Sequence, residues 1–161
     1  MGDRTYVWLA IPVTALAMAG ANDFLVKLFN GSKAKLDAVL AFGPEEEESI
    51  GEDGFTVRLV DAVPCLIWED LECNYGGNIY EEELRAFGLP YLHYNRAGKH
   101  YGPRRSASRG NRHATVRCDH HGDPIASVGM VDGRAVACVE DLADLETYAR
   151  LRADVLGLPS V

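Results

Sequence analysis

Residues 98–113 read GKHYGPRRSASRGNRH. Gly98, Gly102 and Gly110 loosen the backbone, Pro103 interrupts it, and Ser106, Ala107 and Ser108 are small, so regular structure is disfavoured. A surface loop over residues 97–112 is therefore expected, with ordered elements on either side.

Before it, residues 6–11 (YVWLAI) are apolar on both faces, as in a central strand, and Pro12 limits regular pairing beyond them. Asn22 and Asp23 are placed to cap a short helix that Asn30 and Gly31 close. Residues 35–42 fit a strand or a second helix equally, and the acidic run at 43–48 is a solvated loop. Residues 55–60 alternate as a half-buried strand does. Asn78 and Glu81 have capping-box spacing at the head of a helix that ends at Phe87-Gly88, and a strand follows over 90–96.

After it, residues 114–118, 125–131 and 135–139 read as three strands of a meander, with Asp132-Gly133 as a hairpin turn. Val139, Leu142, Leu145, Tyr148, Leu151 and Val155 recur at helical spacing up to Gly157 and Pro159, and Glu140 and Asp141 stand in the first turn. The expected fold is α+β: a single domain, residues 1–161, with an antiparallel sheet covered by a C-terminal amphipathic helix.

The chain of 161 residues carries a net charge of −8. Between Arg96 and Arg117, however, stand seven basic residues and no acid, leaving nine basic against 24 acidic residues elsewhere. Such a chain does not coat nucleic acid with its whole surface, but it can present one basic patch. Four cysteines are too few for a disulfide scaffold at this length, and their spacings match no zinc ribbon, so reduced thiols and a cytoplasmic protein are expected. Residues 6–21 are too short a run to span a bilayer, and the weakly charged MGDRT ahead of them favours a buried strand over a signal peptide.

Arg96, Lys99, Arg104, Arg105, Arg109, Arg112 and Arg117 suit phosphate or carboxylate, and His100 and Tyr101 suit stacking on bases. A nucleic-acid backbone and an acidic protein surface fit equally well, and so does a loop whose charge merely offsets the acidic body. Trp68 and Tyr75, with acids between them, suit a protein-binding rim. Cys118, His120 and His121, with His113 and Cys138, have the donor types of a zinc site, yet on a strand His121 points away from Cys118 and His120. Ser106 or Ser108 with His113, and the acids Glu69, Asp70 and Glu72, lack any motif that marks them as catalytic; there is no GxSxG, GxGxxG or P-loop.

Asn74-Tyr75-Gly76-Gly77, then Leu84 and Phe87-Gly88-Leu89-Pro90-Tyr91, then Gly98 and Tyr101-Gly102 resemble a pattern in small phage- and plasmid-borne accessory proteins. The resemblance covers about a quarter of the chain and brings no catalytic residues with it. It implies a mobile-element protein of the kind that obstructs a host defence complex, as anti-CRISPR proteins do. The expectation is thus a non-catalytic binding protein without cofactor or membrane contact, engaging a protein or nucleoprotein partner through the basic loop. The alternative is a small hydrolase or transferase using His113, Cys118, His120 or His121, with or without zinc.

Overall fold

A computed structural model describes residues 4–45, 54–74, 78–98 and 101–159. Most of the acidic run, with Tyr75, Lys99 and His100, lies outside the described residues. The elements, in chain order, are β1 (Arg4–Pro12), a 3-10 turn (Val13–Ala17), α1 (Ala21–Leu28), α2 (Lys33–Phe42), β2 (Gly54–Val60) and β3 (Val63–Asn74). There follow α3 (Asn78–Phe87), β4 (Tyr91–Asn95), β5 (Arg104–Arg109), β6 (Arg112–Arg117), β7 (Val128–Val131), β8 (Arg134–Ala137) and α4 (Val139–Leu156). Six strands make one antiparallel sheet in the order β2-β3-β1-β4-β5-β6, and β7 and β8 form a separate two-stranded ribbon.

The α+β architecture with its C-terminal helix is as expected; four local assignments change, and the open one at 35–42 is decided. The supposed loop at 97–112 holds β5, which pairs with β6 from Arg104↔Arg117 to Arg109↔Arg112 around a turn at Gly110, φ 61°. Here the sheet edge of β4 supplies hydrogen-bond partners that outweigh the poor strand propensity of Arg-Ser-Ala-Ser. β3 occupies the stretch read as an aromatic rim, pairing with β1 along one side and β2 along the other. Residues 35–42 are helical, with the Ser32 side chain accepting from the Lys35 N–H at the N-cap. α1 is headed by Gly20 rather than capped by Asn22, which lies inside the helix. Finally, the segment after β6 does not extend the meander: it turns back on itself through one bridge, Cys118↔Pro124, and the Ile125 N–H donates to the Arg117 carbonyl of β6 at 3.0 Å before β7 departs.

Strand alternation puts different residues on the two faces, and helices cover both. On one face Val7, Leu9, Ile11, Val57, Leu66, Trp68 and Tyr91 pack with Leu25, Leu36 and Leu84 of α1, α2 and α3. On the other, Ala10, Cys65, Ile67, Leu92, Ala107, Ala114 and Val116 pack against Tyr148, Leu151, Val155 and Leu156 of α4. Burying each large α4 side chain is worth about 1.5–3 kcal/mol. Among the described residues, no helix is long and apolar enough to cross a membrane.

Candidate functional site

The arginines gathered by the sequence are dispersed by the fold. Arg104 donates from Nη2 to Glu81 at 2.7 Å and to Asn78, and from Nε to Asn95 Oδ1 at 2.9 Å. Arg105 donates to the Gly122 carbonyl at 2.6 Å and lies over the Tyr94 ring. Arg109 and Arg112 share the carboxylate of Asp154. Arg117 reaches Asp141 at 2.7 Å and Ser127 at 2.5 Å, and Arg96 lies over Tyr6. The expected isolated positive loop is corrected to a hairpin whose charges are largely met by carboxylates 23 to 45 residues away in sequence. Arg112 and Arg117 still keep 60% and 62% of their side chains in water.

What the fold brings together instead is a polar lattice. Registers across β4, β5 and β6 align Asn95–Arg104–Arg117, His93–Ser106–Thr115 and Tyr91–Ser108–His113. All nine stand on the sheet face opposite α4, as two-residue alternation requires. Asn95, His93, Ser106, Ser108 and Tyr91 are buried, whereas Thr115 and His113 are exposed. Glu81 of α3, 3% exposed, overhangs the lattice and accepts from Arg104 and from the Tyr91 hydroxyl at 3.3 Å. His93 Nδ1 lies 3.5 Å from the same carboxylate. Toward the edge, Ser106 and Thr115 hydroxyls meet at 3.0 Å, and Thr115 meets His113 Nε2 at 3.1 Å. Burial of part of its ring is the main cause that lowers the pKa of His113; Glu81 opposes it, and the charges of Arg85 and Arg104 add to it. Glu81 and Asn78, legible in sequence as a capping pair, are drawn to Arg104 because charge-assisted bonds are stronger than neutral caps. His93 and Thr115 escaped notice, and Ser106 was weighed only as a nucleophile beside His113, because their spacing in sequence carries no motif.

A second feature is the ribbon β7–β8. Val128 and Met130 stand on one of its faces with Ala135 and Ala137; Val131 and Val136 stand on the other. Every residue of β7 is exposed, Val128 and Met130 at 67% and 69%. Its root is fixed: Asp141 accepts from the Ser127 N–H at 2.6 Å and from Arg117, and Cys138 N–H donates to the Ser127 carbonyl at 2.8 Å. Those bonds, the Ser127 N–H first, hold the Asp141 carboxyl below its ordinary range.

The fold gives the residues of the alternative reading the following surroundings. Cys118 is buried, which pushes its thiol pKa up. Asp119 accepts from the N–H groups of Asp123 and His121, both at 2.9 Å, and the His120 and His121 rings lie 3.8 Å apart, tilted by 45°. Among the described residues, no group of three or more His, Cys, Asp or Glu is placed to hold a metal ion. Glu69 is tied to Arg58 and to the Tyr6 hydroxyl, and Asp70 accepts from the Glu72 N–H. Trp68 is 9% exposed and packs between Phe29 and Tyr80, at ring separations of 4.4 and 4.7 Å. Tyr101 is half-buried. Set against family models, curated proteins and solved structures, the chain matches none.

Proposed function

We propose that this chain is a non-catalytic binding protein whose docking surface for a protein partner is the β7–β8 ribbon and its flanks. One observation carries this reading. Of the twelve large hydrophobic side chains exposed among the described residues, seven lie between Ile125 and Leu142. A strand pair that is apolar on both faces belongs inside a packed layer. Here both faces meet water, and an isolated two-stranded hairpin is only marginally stable by itself. A partner that covers the ribbon, or adds a strand to its open edge, removes both costs. Arg117 and Arg134 supply a charged rim around the apolar centre, as interfaces commonly have. The basic segment thus contributes to this surface through Arg117.

The resemblance to mobile-element accessory proteins extends the proposal to a host nucleoprotein complex as the partner, and four free thiols fit a reducing compartment such as the cytoplasm. The test is affinity capture from the source cell's extract, with and without nuclease, by the wild-type chain and by V128D/M130D. Both positions are exposed, so the double variant retains the wild-type unfolding midpoint and loses the captured protein. Equal capture by both chains would refute the ribbon as the docking surface.

A further inference from the structure

At the β2 edge of the sheet, away from β6 and the ribbon that follows it, aromatic side chains gather in one place. Phe55 of β2 stands directly across from Trp68 of β3. Phe29, at the end of α1, touches both, at ring separations of 5.8 and 4.4 Å. Tyr80 of α3 completes the group, 5.1 Å from Phe29 and 4.7 Å from Trp68. Phe29, Phe55 and Tyr80 are only half-buried, and with Trp68 they wall a cleft of about 710 Å³. Small-molecule sites are commonly about 300–1,000 Å³ and lined in this way. The wall is closely fitted: a Cβ on Gly31 would lie 2.8 Å from Phe55 Cε2, so glycine lets that ring stand against the α1–α2 linker.

Two charges of opposite sign border the cleft, Asp70 and Lys35. Asp70 stands two residues beyond Trp68 on the same face of β3, and Lys35 rises from the first turn of α2. Among the described residues, neither has an ion-pair partner. Asp70 Oδ1 accepts from the Glu72 N–H of its own strand at 2.8 Å, which leaves Oδ2 for another donor. Glu69 also borders the cleft, but its carboxylate is already taken by Arg58 and by the Tyr6 hydroxyl.

We propose that this cleft binds a free α-amino acid with an aromatic side chain. The Asp70 carboxylate receives the ligand's ammonium, the Lys35 ammonium meets its carboxylate, and its ring lies among Phe29, Phe55 and Tyr80. A purely apolar ligand would leave both bordering charges unanswered, and a simple cation or anion would leave one. A zwitterion answers both, and each contact is a charge-assisted hydrogen bond. The ring wall adds two further attractions: aromatic pairs favour offset or edge-to-face contact, and an ammonium passing over a ring face meets its negative quadrupole. Lys35 carries its charge on a flexible four-carbon stem, so it closes on the carboxylate once the ring is seated. This site is separate from the docking ribbon, and neither proposal depends on the other.

The experiment titrates tryptophan fluorescence with L-phenylalanine and with three compounds that each lack one part of it. Phenethylamine has no carboxylate, hydrocinnamate has no ammonium, and glycine has no ring. Trp8 packs on the α4 side of the sheet, so the response reports Trp68. A saturable change is expected for phenylalanine, with each truncated compound binding at least about tenfold more weakly. Asp70→Asn and Lys35→Gln alter side chains that reach water, so both variants keep the wild-type unfolding midpoint. Each weakens phenylalanine about tenfold, the effect of one lost charge-assisted hydrogen bond. Asp70→Asn also removes the advantage of phenylalanine over hydrocinnamate, and Lys35→Gln its advantage over phenethylamine. A change that never saturates, a truncated compound that binds as tightly as phenylalanine, or variants that bind like wild type would each overturn the site.

Discussion

Glu81→Ala tests the energetics of the polar lattice directly. The carboxylate is 3% exposed and lies 2.7 Å from Arg104, 3.3 Å from the Tyr91 hydroxyl and 3.5 Å from His93 Nδ1. Removing it strands a guanidinium and a buried phenol without their acceptor. Breaking a buried pair in this way costs about 3–5 kcal/mol. Because 28% of the Arg104 side chain is exposed, the guanidinium can regain some water, so the lower end applies, about 3 kcal/mol. With a urea slope of about 2 kcal/mol per molar, the unfolding midpoint falls by about 1.5 M. The cycle completed by Arg104→Met and the double variant isolates the pair itself: the double loses less than the two singles together, by about 1–3 kcal/mol. A midpoint shift for Glu81→Ala below about 0.3 M, or a coupling no larger than the roughly 0.5 kcal/mol of exposed pairs, would show that the lattice is solvated and the reasoning wrong.

Other consequences are open to simpler measurements. Ala62 holds φ 65° in the tight β2–β3 turn, so Ala62→Gly raises stability by about 1 kcal/mol in thermal unfolding; a fall would show that this turn is unstrained. Leu151→Ala, at a 4% exposed position on the buried face of α4, costs about 2–5 kcal/mol in urea unfolding and detaches the helix before the sheet melts in hydrogen exchange. Burial pushes the Cys65 thiol up to about 12, so with a thiol reagent at pH 8 Cys138 reacts in the native state and Cys65 waits for unfolding. The carboxyls of Asp61, Asp119 and Asp141 are held below the ordinary range, by the Arg152, Asp123 and Ser127 bonds first. Their stabilisation is complete above pH about 4 and is lost as pH falls through the lowered values, so Asp119→Asn and Asp141→Asn flatten the acid limb of the stability profile.

Much of the fold is visible in local patterning. The two-sided apolar run of β1, the Asp132-Gly133 turn and the apolar repeat of α4 are set by side-chain period and by backbone φ, which are properties of neighbouring residues. The β2–β3 turn shows the limit of that logic. Asp61-Ala62 takes the same left-handed geometry without glycine, because the pairing of two long strands holds it there.

Which charges are free, and which polar groups are buried, was not legible in this way. Seven basic residues within 96–117 form a patch only if nothing answers them, and Glu81, Asp141 and Asp154 answer four from other elements. Ser106 and Ser108 look like loop spacers until β4 and β6 flank them, and Val128 and Met130 look like core until the ribbon stands apart from the sheet. By itself the sequence determined the repeating elements and the net charge, since both follow from residue order and composition. Only the tertiary structure decided burial and ion pairing, because both depend on which distant segments close over a given side chain, and the entropy of closing those loops is outweighed only by contacts made throughout the fold.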